Sequence, residues 1–116
     1  MFPVRHKACH VRLFDSRYAT QEMSGISPDI SIKCPRCSRD KGHTILAQFR
    51  LELPKKTAPI PPESVYCSNL NCMGRLFDLA LPYTLTDRPS DISIMCSKCK
   101  TVTWVQLGGI ISVERD

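Results

Sequence analysis

Apolar and polar positions alternate in short runs along this chain, and helix signals are poor. Ile30, Ile32 and Cys34 alternate with polar residues, as do Ile92, Ile94 and Cys96, which predicts two strands that each run into a cysteine pair. Residues 44–51 and 101–107 carry β-branched and aromatic side chains and predict a closing strand after each of these pairs. Residues 12–14 and 75–79 predict strands that leave an earlier pair of candidate ligands. Each half of the chain is then expected to be a small antiparallel sheet with cysteine turns at one end. The stretches 24–28 and 86–90, with their Gly, Pro, Ser and Asp content, read as loops at the other end.

The pattern occurs twice. Cys9 followed by Arg12-Leu13-Phe14-Asp15 recurs as Cys72 followed by Arg75-Leu76-Phe77-Asp78, and Asp29-Ile30-Ser31-Ile32 recurs as Asp91-Ile92-Ser93-Ile94. The first segments are offset by 63 positions and the second by 62, so a single-residue gap aligns the halves of a tandem duplication. Between them, residues 54–62 hold four prolines, which favour an extended, semi-rigid segment over a helix interior or central strand. The expected organisation is a small, mainly β chain of two tandem zinc ribbons: a first over 1–53, a proline-rich linker over 54–62 and a second over 63–116.

Cysteine spacing carries the chemistry. Six of the seven cysteines form the close pairs Cys34/Cys37, Cys67/Cys72 and Cys96/Cys99, leaving Cys9, whose repeat partner is Cys72. His6 lies at an x2 spacing upstream of Cys9, so His6, Cys9, Cys34 and Cys37 make one tetrad and Cys67, Cys72, Cys96 and Cys99 another. Zinc takes four thiolate or imidazole ligands in a tetrahedron, and a short turn delivers two of them to one ion. Two Zn2+ ions are therefore expected, and an odd cysteine count with closely spaced pairs argues against disulfides. His10 and His43 compete with His6: His10 aligns with Met73, and His43 follows Cys37 at a distance that reaches an ion only by displacing another ligand. Domains this small generally need a staple, so the metal is expected to supply much of the folding free energy.

Charge divides unevenly. Residues 1–58 carry a net +6 and residues 59–116 a net −1, and bound zinc with its thiolates shifts both figures down without removing the difference. Arg12, Lys33, Arg36, Arg39 and Lys41 cluster around the first cysteine turns and are candidate phosphate contacts. Arg39 and Lys41 fall in an insertion after Cys37 that the second copy lacks and that reads as a polar loop. Phe14 and Tyr18 lie close by as candidate stacking surfaces for unpaired bases, although Phe14 shares its repeat position with Phe77 and reads more simply as core. Trp104 is a candidate anchor for a protein partner. Free thiolates and the lack of any apolar run of membrane-spanning length lead to the expectation of a soluble, cytoplasmic protein with no membrane and no small-molecule substrate. Four protein ligands at each site leave no open coordination position, so no enzyme is expected.

The segment Cys72-Met73-Gly74-Arg75-Leu76-Phe77, the run from Ile92 to Lys100, and Ile30-Ser31-Ile32-Lys33-Cys34-Pro35-Arg36-Cys37 together resemble the Com-like zinc-ribbon translational regulators of Mu-like phages. Members of that family have one ribbon followed by a basic tail, whereas here the ribbon is doubled. The resemblance implies a zinc protein that binds a structured region of messenger RNA and opens an adjacent start site. The expected function is nucleic-acid-binding regulation with RNA favoured. A phage or mobile-element origin is expected with it, and the alternative is a zinc-ribbon protein-binding adaptor or inhibitor that acts on a host or defence factor.

Overall fold

A computed structural model describes residues 1–23, 27–53 and 60–108. The described residues are mainly β, with one short helix. In the first half the strands are β1 (Phe2–Arg5), β2 (Arg12–Ser16), β3 (Thr20–Met23), β4 (Ile30–Lys33) and β5 (Leu46–Leu51), with helix α1 (Pro35–Lys41) between β4 and β5. In the second they are β6 (Glu63–Tyr66), β7 (Arg75–Leu79), β8 (Tyr83–Thr86), β9 (Ile92–Met95) and β10 (Val102–Leu107). The strands expected to flank the cysteine turns are therefore present. Of the linker, residues 54–59 lie outside the described residues, as do residues 24–26 of the first expected loop.

The sheets do not follow the halves. Strands order as β1-β2-β9-β10-β8 in one sheet and β3-β5-β4-β7-β6 in the other. Each sheet thus joins a hairpin from one half to three strands of the other, and the expectation of one sheet per half gives way to an exchange. The duplication maps one sheet onto the other: β2 pairs with β9 through Asp15↔Ser93 and Ser16↔Ile92, while β7 pairs with β4 through Asp78↔Ser31 and Leu79↔Ile30. The β1–β2 and β6–β7 hairpins even share a register shift, after Val4 and Val65. The alternating sequence made the exchange available, because alternation fixes which face of a strand is buried and leaves its lateral partner open.

The two repeated motifs line this seam. Phe14 and Phe77 stack with ring centroids 6.5 Å apart and an interplanar angle of 3°, and Phe49 meets Phe14 edge-on at 5.5 Å. These rings belong to one apolar cluster that takes Val4, Ile92, Ile94, Val105 and Leu107 from the first sheet and Ile30, Ile32, Val65 and Leu79 from the second. Asp29 and Asp91, just before β4 and β9, are buried, and each accepts a 2.8 Å hydrogen bond from a backbone N–H at the end of the neighbouring strand, Leu51 and Leu107 respectively. Such a bond offsets much of the cost of burying a carboxylate. Their backbone carbonyls accept from the opposite half, Asp29 from Ala80 at 2.9 Å and Asp91 from Arg17 at 2.8 Å. Edge strand β1 tolerates Pro3, which a central strand would not. No helix among the described residues is long and apolar enough to cross a membrane.

Candidate metal centres

The exchange puts each set of candidate ligands across the two sheets. His6 and Cys9 sit in the β1–β2 turn of one sheet, and Cys34 and Cys37 follow β4 of the other. Cys67 and Cys72 sit in the β6–β7 turn, and Cys96 and Cys99 in the β9–β10 turn. The structure gathers these eight residues, and no other His or Cys, into two groups whose ligand atoms all lie within 4.8 Å of one another. An ion in either group therefore clasps one sheet to the other.

The spacings suit a tetrahedron. Bonds of about 2.3 Å to sulfur and 2.0–2.1 Å to nitrogen give S···S edges near ~3.8 Å and S···N edges near ~3.6 Å. In the first group Cys9 Sγ lies 3.5 Å from both His6 Nδ1 and Cys34 Sγ, and Cys37 Sγ lies 3.4 Å from His6 Nδ1. In the second, Cys67 and Cys99 sulfurs are 3.5 Å apart and those of Cys72 and Cys96 3.7 Å. Disulfide sulfurs would sit at about 2.05 Å, and all seven cysteines are free.

Three of the four ligand turns are built alike. The residue after the second ligand adopts a left-handed conformation, with φ of 65° at His10, 51° at Met73 and 66° at Lys100. Its N–H reaches back across the turn, from His10 to the His6 carbonyl at 2.6 Å and from Lys100 to that of Cys96 at 2.9 Å. Met73 does the same to Asn69 at 3.0 Å, and the Asn69 side chain accepts from Asn71 N–H, closing an Asx turn that absorbs the two extra residues of the x4 spacing. His10 thus serves the turn rather than the ion, and His43 is exposed outside both groups.

The fourth turn departs from this plan. Cys34 caps α1, its sulfur accepting from Cys37 N–H, Pro35 opens the helix, and Gly42 closes it at φ 77° with its N–H on the Ser38 carbonyl. The insertion expected as a polar loop lies largely in this helix, which takes up its residues 38–41. Its signals were present as Pro just inside the start and Gly just past the end. Ser38, buried, accepts from Ile45 N–H at 2.9 Å and ties the helix to the strand that follows.

Glu22 is a site residue that spacing did not reveal. While His6 turns Nδ1 to the sulfurs, its Nε2 lies 3.5 Å from Glu22 Oε2, and Glu22 Oε1 accepts from Lys7 N–H at 2.9 Å. A carboxylate behind a ligating imidazole fixes its orientation and raises its basicity. Glu22 lies on β3 of the opposite sheet, so only the fold brings it to His6.

Without an ion, crowded sulfurs split their proton affinities. The Val11 backbone N–H, helped by His6, Cys34 and Cys37, draws Cys9 down to about 7, while burial and then the neighbouring sulfurs push Cys37 up to about 12. The Thr101 hydroxyl and backbone N–H draw Cys99 down to about 6, and the backbone N–H groups of Cys99 and Lys98 lower Cys96. At Cys67 the Asn69 N–H pulls downward but is outweighed by burial and by Cys99 and Cys96, leaving it at about 11. Cys72 is also raised, the downward pull of Gly74 N–H being outweighed in the same way. A divalent cation removes this conflict, since its charge favours thiolate at every position.

Of the candidate phosphate contacts, Lys33 ends β4 and Arg36, Arg39 and Lys41 lie on α1, all exposed. Arg12 lies on β2, where it donates through Nε to Asp15 at 2.9 Å; Arg75 repeats the pairing with Asp78 at 2.6 Å. Phe14 is buried and Tyr18 half-buried against the same core, so Phe14 presents no stacking surface. Trp104 is half-buried. Compared with protein-family models, with curated proteins and with solved structures, the chain matches none, so its resemblance to the Com-like regulators rests on the turn motifs alone.

Proposed function

We propose that the protein is a zinc-dependent nucleic-acid-binding regulatory protein, with two structural Zn2+ ions and RNA as the favoured ligand. The metal assignment rests on the two donor sets, three cysteines with one histidine and four cysteines, and on their tetrahedral spacings, which suit zinc. Each set already supplies four protein ligands, which favours a structural over a catalytic ion and a binding protein over an enzyme. The observation that carries the nucleic-acid reading is α1. It is a departure from the internal symmetry at the metal turns, and it presents Arg36, Arg39 and Lys41 to solvent beside the first site. Asp40 lies 3.7 Å from Arg39, and the pair is so exposed that water leaves it little strength. RNA is preferred on the turn-motif resemblance, with translational control the regulation it implies.

Fluorescence anisotropy with labelled RNA and DNA tests this reading. Binding should weaken with salt, and Arg36→Ala with Arg39→Ala should lower the magnitude of the log–log salt slope by about 1.4, at ~0.7 per phosphate contact on a single strand. Affinity that ignores both salt and the substitutions contradicts it.

A second reading has its own observation. On the outer face of the first sheet Met95 pairs with Val102 and Trp104 with Ser93, whereas the equivalent pairs of the second sheet are Lys33 with Leu46 and Ser31 with Gln48. Met95 and Val102 are 58% and 42% exposed, an apolar patch where the symmetric face is mixed and basic. Such a patch suits a protein partner. Val102→Asp distinguishes the readings: an adaptor loses its partner, while a nucleic-acid binder keeps its ligand.

A further inference from the structure

The exchange creates a feature that neither half possesses. Between the two metal centres runs a groove of about 390 Å³ whose walls come from both halves. Four cations line it in Arg12, Lys33, Arg75 and Lys98, and no acid is among its lining residues. Arg12 and Arg75 are repeat equivalents, as are Leu13 and Leu76, which form part of its apolar surface. Pro35 and Ser97, the residues that follow Cys34 and Cys96, bring the metal turns to its rim.

We propose that this composite groove is a binding site for single-stranded nucleic acid, with cations of both halves on the phosphates and an unpaired base against the apolar floor. The proposal rests on the nucleic-acid reading above and deepens it, because contacts are assigned to the half whose net charge is negative.

Side-chain placement supports the assignment. Arg12 and Arg75 are 57% and 62% exposed, and their carboxylate partners are only 21% and 27% exposed. Asp15 and Asp78 therefore orient the guanidinium groups from behind while remaining N–H donors face the solvent, an arrangement suited to a phosphate oxygen. These partners offset part of the charge, which leaves Lys33 and Lys98 as the groove cations with no carboxylate partner among the described residues. Lys98 lies over the second metal turn: a Cβ at Gly74 would sit 3.6 Å from its Cδ and 3.5 Å from Cys72 Sγ. The lysine stem thus runs within van der Waals reach of this turn, and Lys98 lines the groove. The volume falls in the lower part of the roughly 300–1,000 Å³ range of ligand clefts, which suits one or two nucleotide units rather than a duplex. Unpaired bases offer both a phosphate and a flat apolar face, the combination that a cation-rimmed apolar floor recognises.

The test is anisotropy of the zinc-loaded full chain with a labelled single-stranded RNA, the matching DNA strand and the RNA duplex. Arg75→Ala with Lys98→Ala should lower the salt slope for single strands by about 1.4, and Arg75→Lys with Lys98→Arg should hold the slope near that of the unaltered chain. Metal content and melting temperature, measured on both, show whether the fold is kept; K98A alone, at an exposed position, should lower the slope by about 0.7 even if the double variant fails to fold. Equal loss with RNA and DNA strands assigns the groove to phosphate and base, and loss with RNA alone assigns it to an RNA-specific contact; both support the site. If R75A/K98A and K98A bind like the unaltered chain while R36A/R39A weakens, the groove is overturned and the nucleic-acid reading stands. Tighter binding to the duplex also overturns the groove. No binding to any strand overturns both.

Discussion

Replacing Phe14 and Phe77 by leucine, singly and together, measures how far the two halves share one core. The rings stack 6.5 Å apart across the exchange seam, and each is at most 4% exposed. Each single change trades a buried ring for a smaller apolar side chain, at a cost of about 1–2 kcal/mol. An aromatic pair contributes about 0.5–1.5 kcal/mol beyond the area it buries, so the double variant should lose less than the sum of the singles by that amount. Phe14 with Phe49 supplies the control, because their 5.5 Å edge contact lies within the first half and couples under either architecture. The assay is urea denaturation in fixed excess zinc, with the slope of the transition checked for constancy so that midpoints report stability. Two independent ribbons would place Phe14 and Phe77 in separate cores, and additivity to within about 0.3 kcal/mol would refute the shared one.

Three further outcomes follow from the metal centres. Zinc uptake at the all-cysteine second site should release protons and tighten as pH rises. At pH 7–8 the raised Cys67 and Cys72 still hold protons that the ion must displace, whereas Cys99, drawn down to about 6, holds none, so log affinity should climb by at least about two per pH unit and more steeply below the Cys99 value. Chelator competition across this range reads the slope, and a flat profile contradicts the split. Glu22→Gln should weaken zinc at the first site by about 10–100-fold and leave the second unchanged, measured by competition with the second site as internal reference; equal effects at both sites would reject the contact. Lys100→Gly should raise stability by about 0.5–1 kcal/mol, because its φ of 66° suits glycine better than an L side chain, and a lowered urea midpoint would show that the turn does not carry that strain.

How much of this was legible depended on whether a feature is local. The two groups of candidate ligands were readable because two residues in one short turn can reach one ion wherever the turn lies, and the aligned repeat favoured His6, which the fold groups with Cys9, Cys34 and Cys37, over His10. Strand positions next to those turns were readable from alternation. The four edge strands β1, β3, β6 and β8 were not, since each is only four residues long and an edge position relaxes the alternation. Helix α1 was masked by its seven residues, too few to display a helical period, although Pro35 and Gly42 marked its ends. The exchange was the largest omission. Nothing in Ile30-Ser31-Ile32 says whether β4 pairs with β2 or with β7, because both offer the same Arg-Leu-Phe-Asp sequence. One signal did bear on it: identity between the halves is concentrated in the segments that meet at the seam, with Phe14 stacked on Phe77 and Asp29 and Asp91 each bonded to the opposite half. The same exchange alters the meaning of the charge asymmetry. Basic and acidic halves are not two lobes but interleaved parts of one body, so cations of both reach one groove.

Native mass spectrometry after cutting the chain within residues 54–59, at an introduced protease site, tests the central claim most directly. Each candidate metal centre draws its residues from one half, but each also joins both sheets, and each sheet contains strands of both halves. The predicted result is a single species holding both fragments and two zinc ions. Two separate fragments, each carrying one zinc ion, would contradict it.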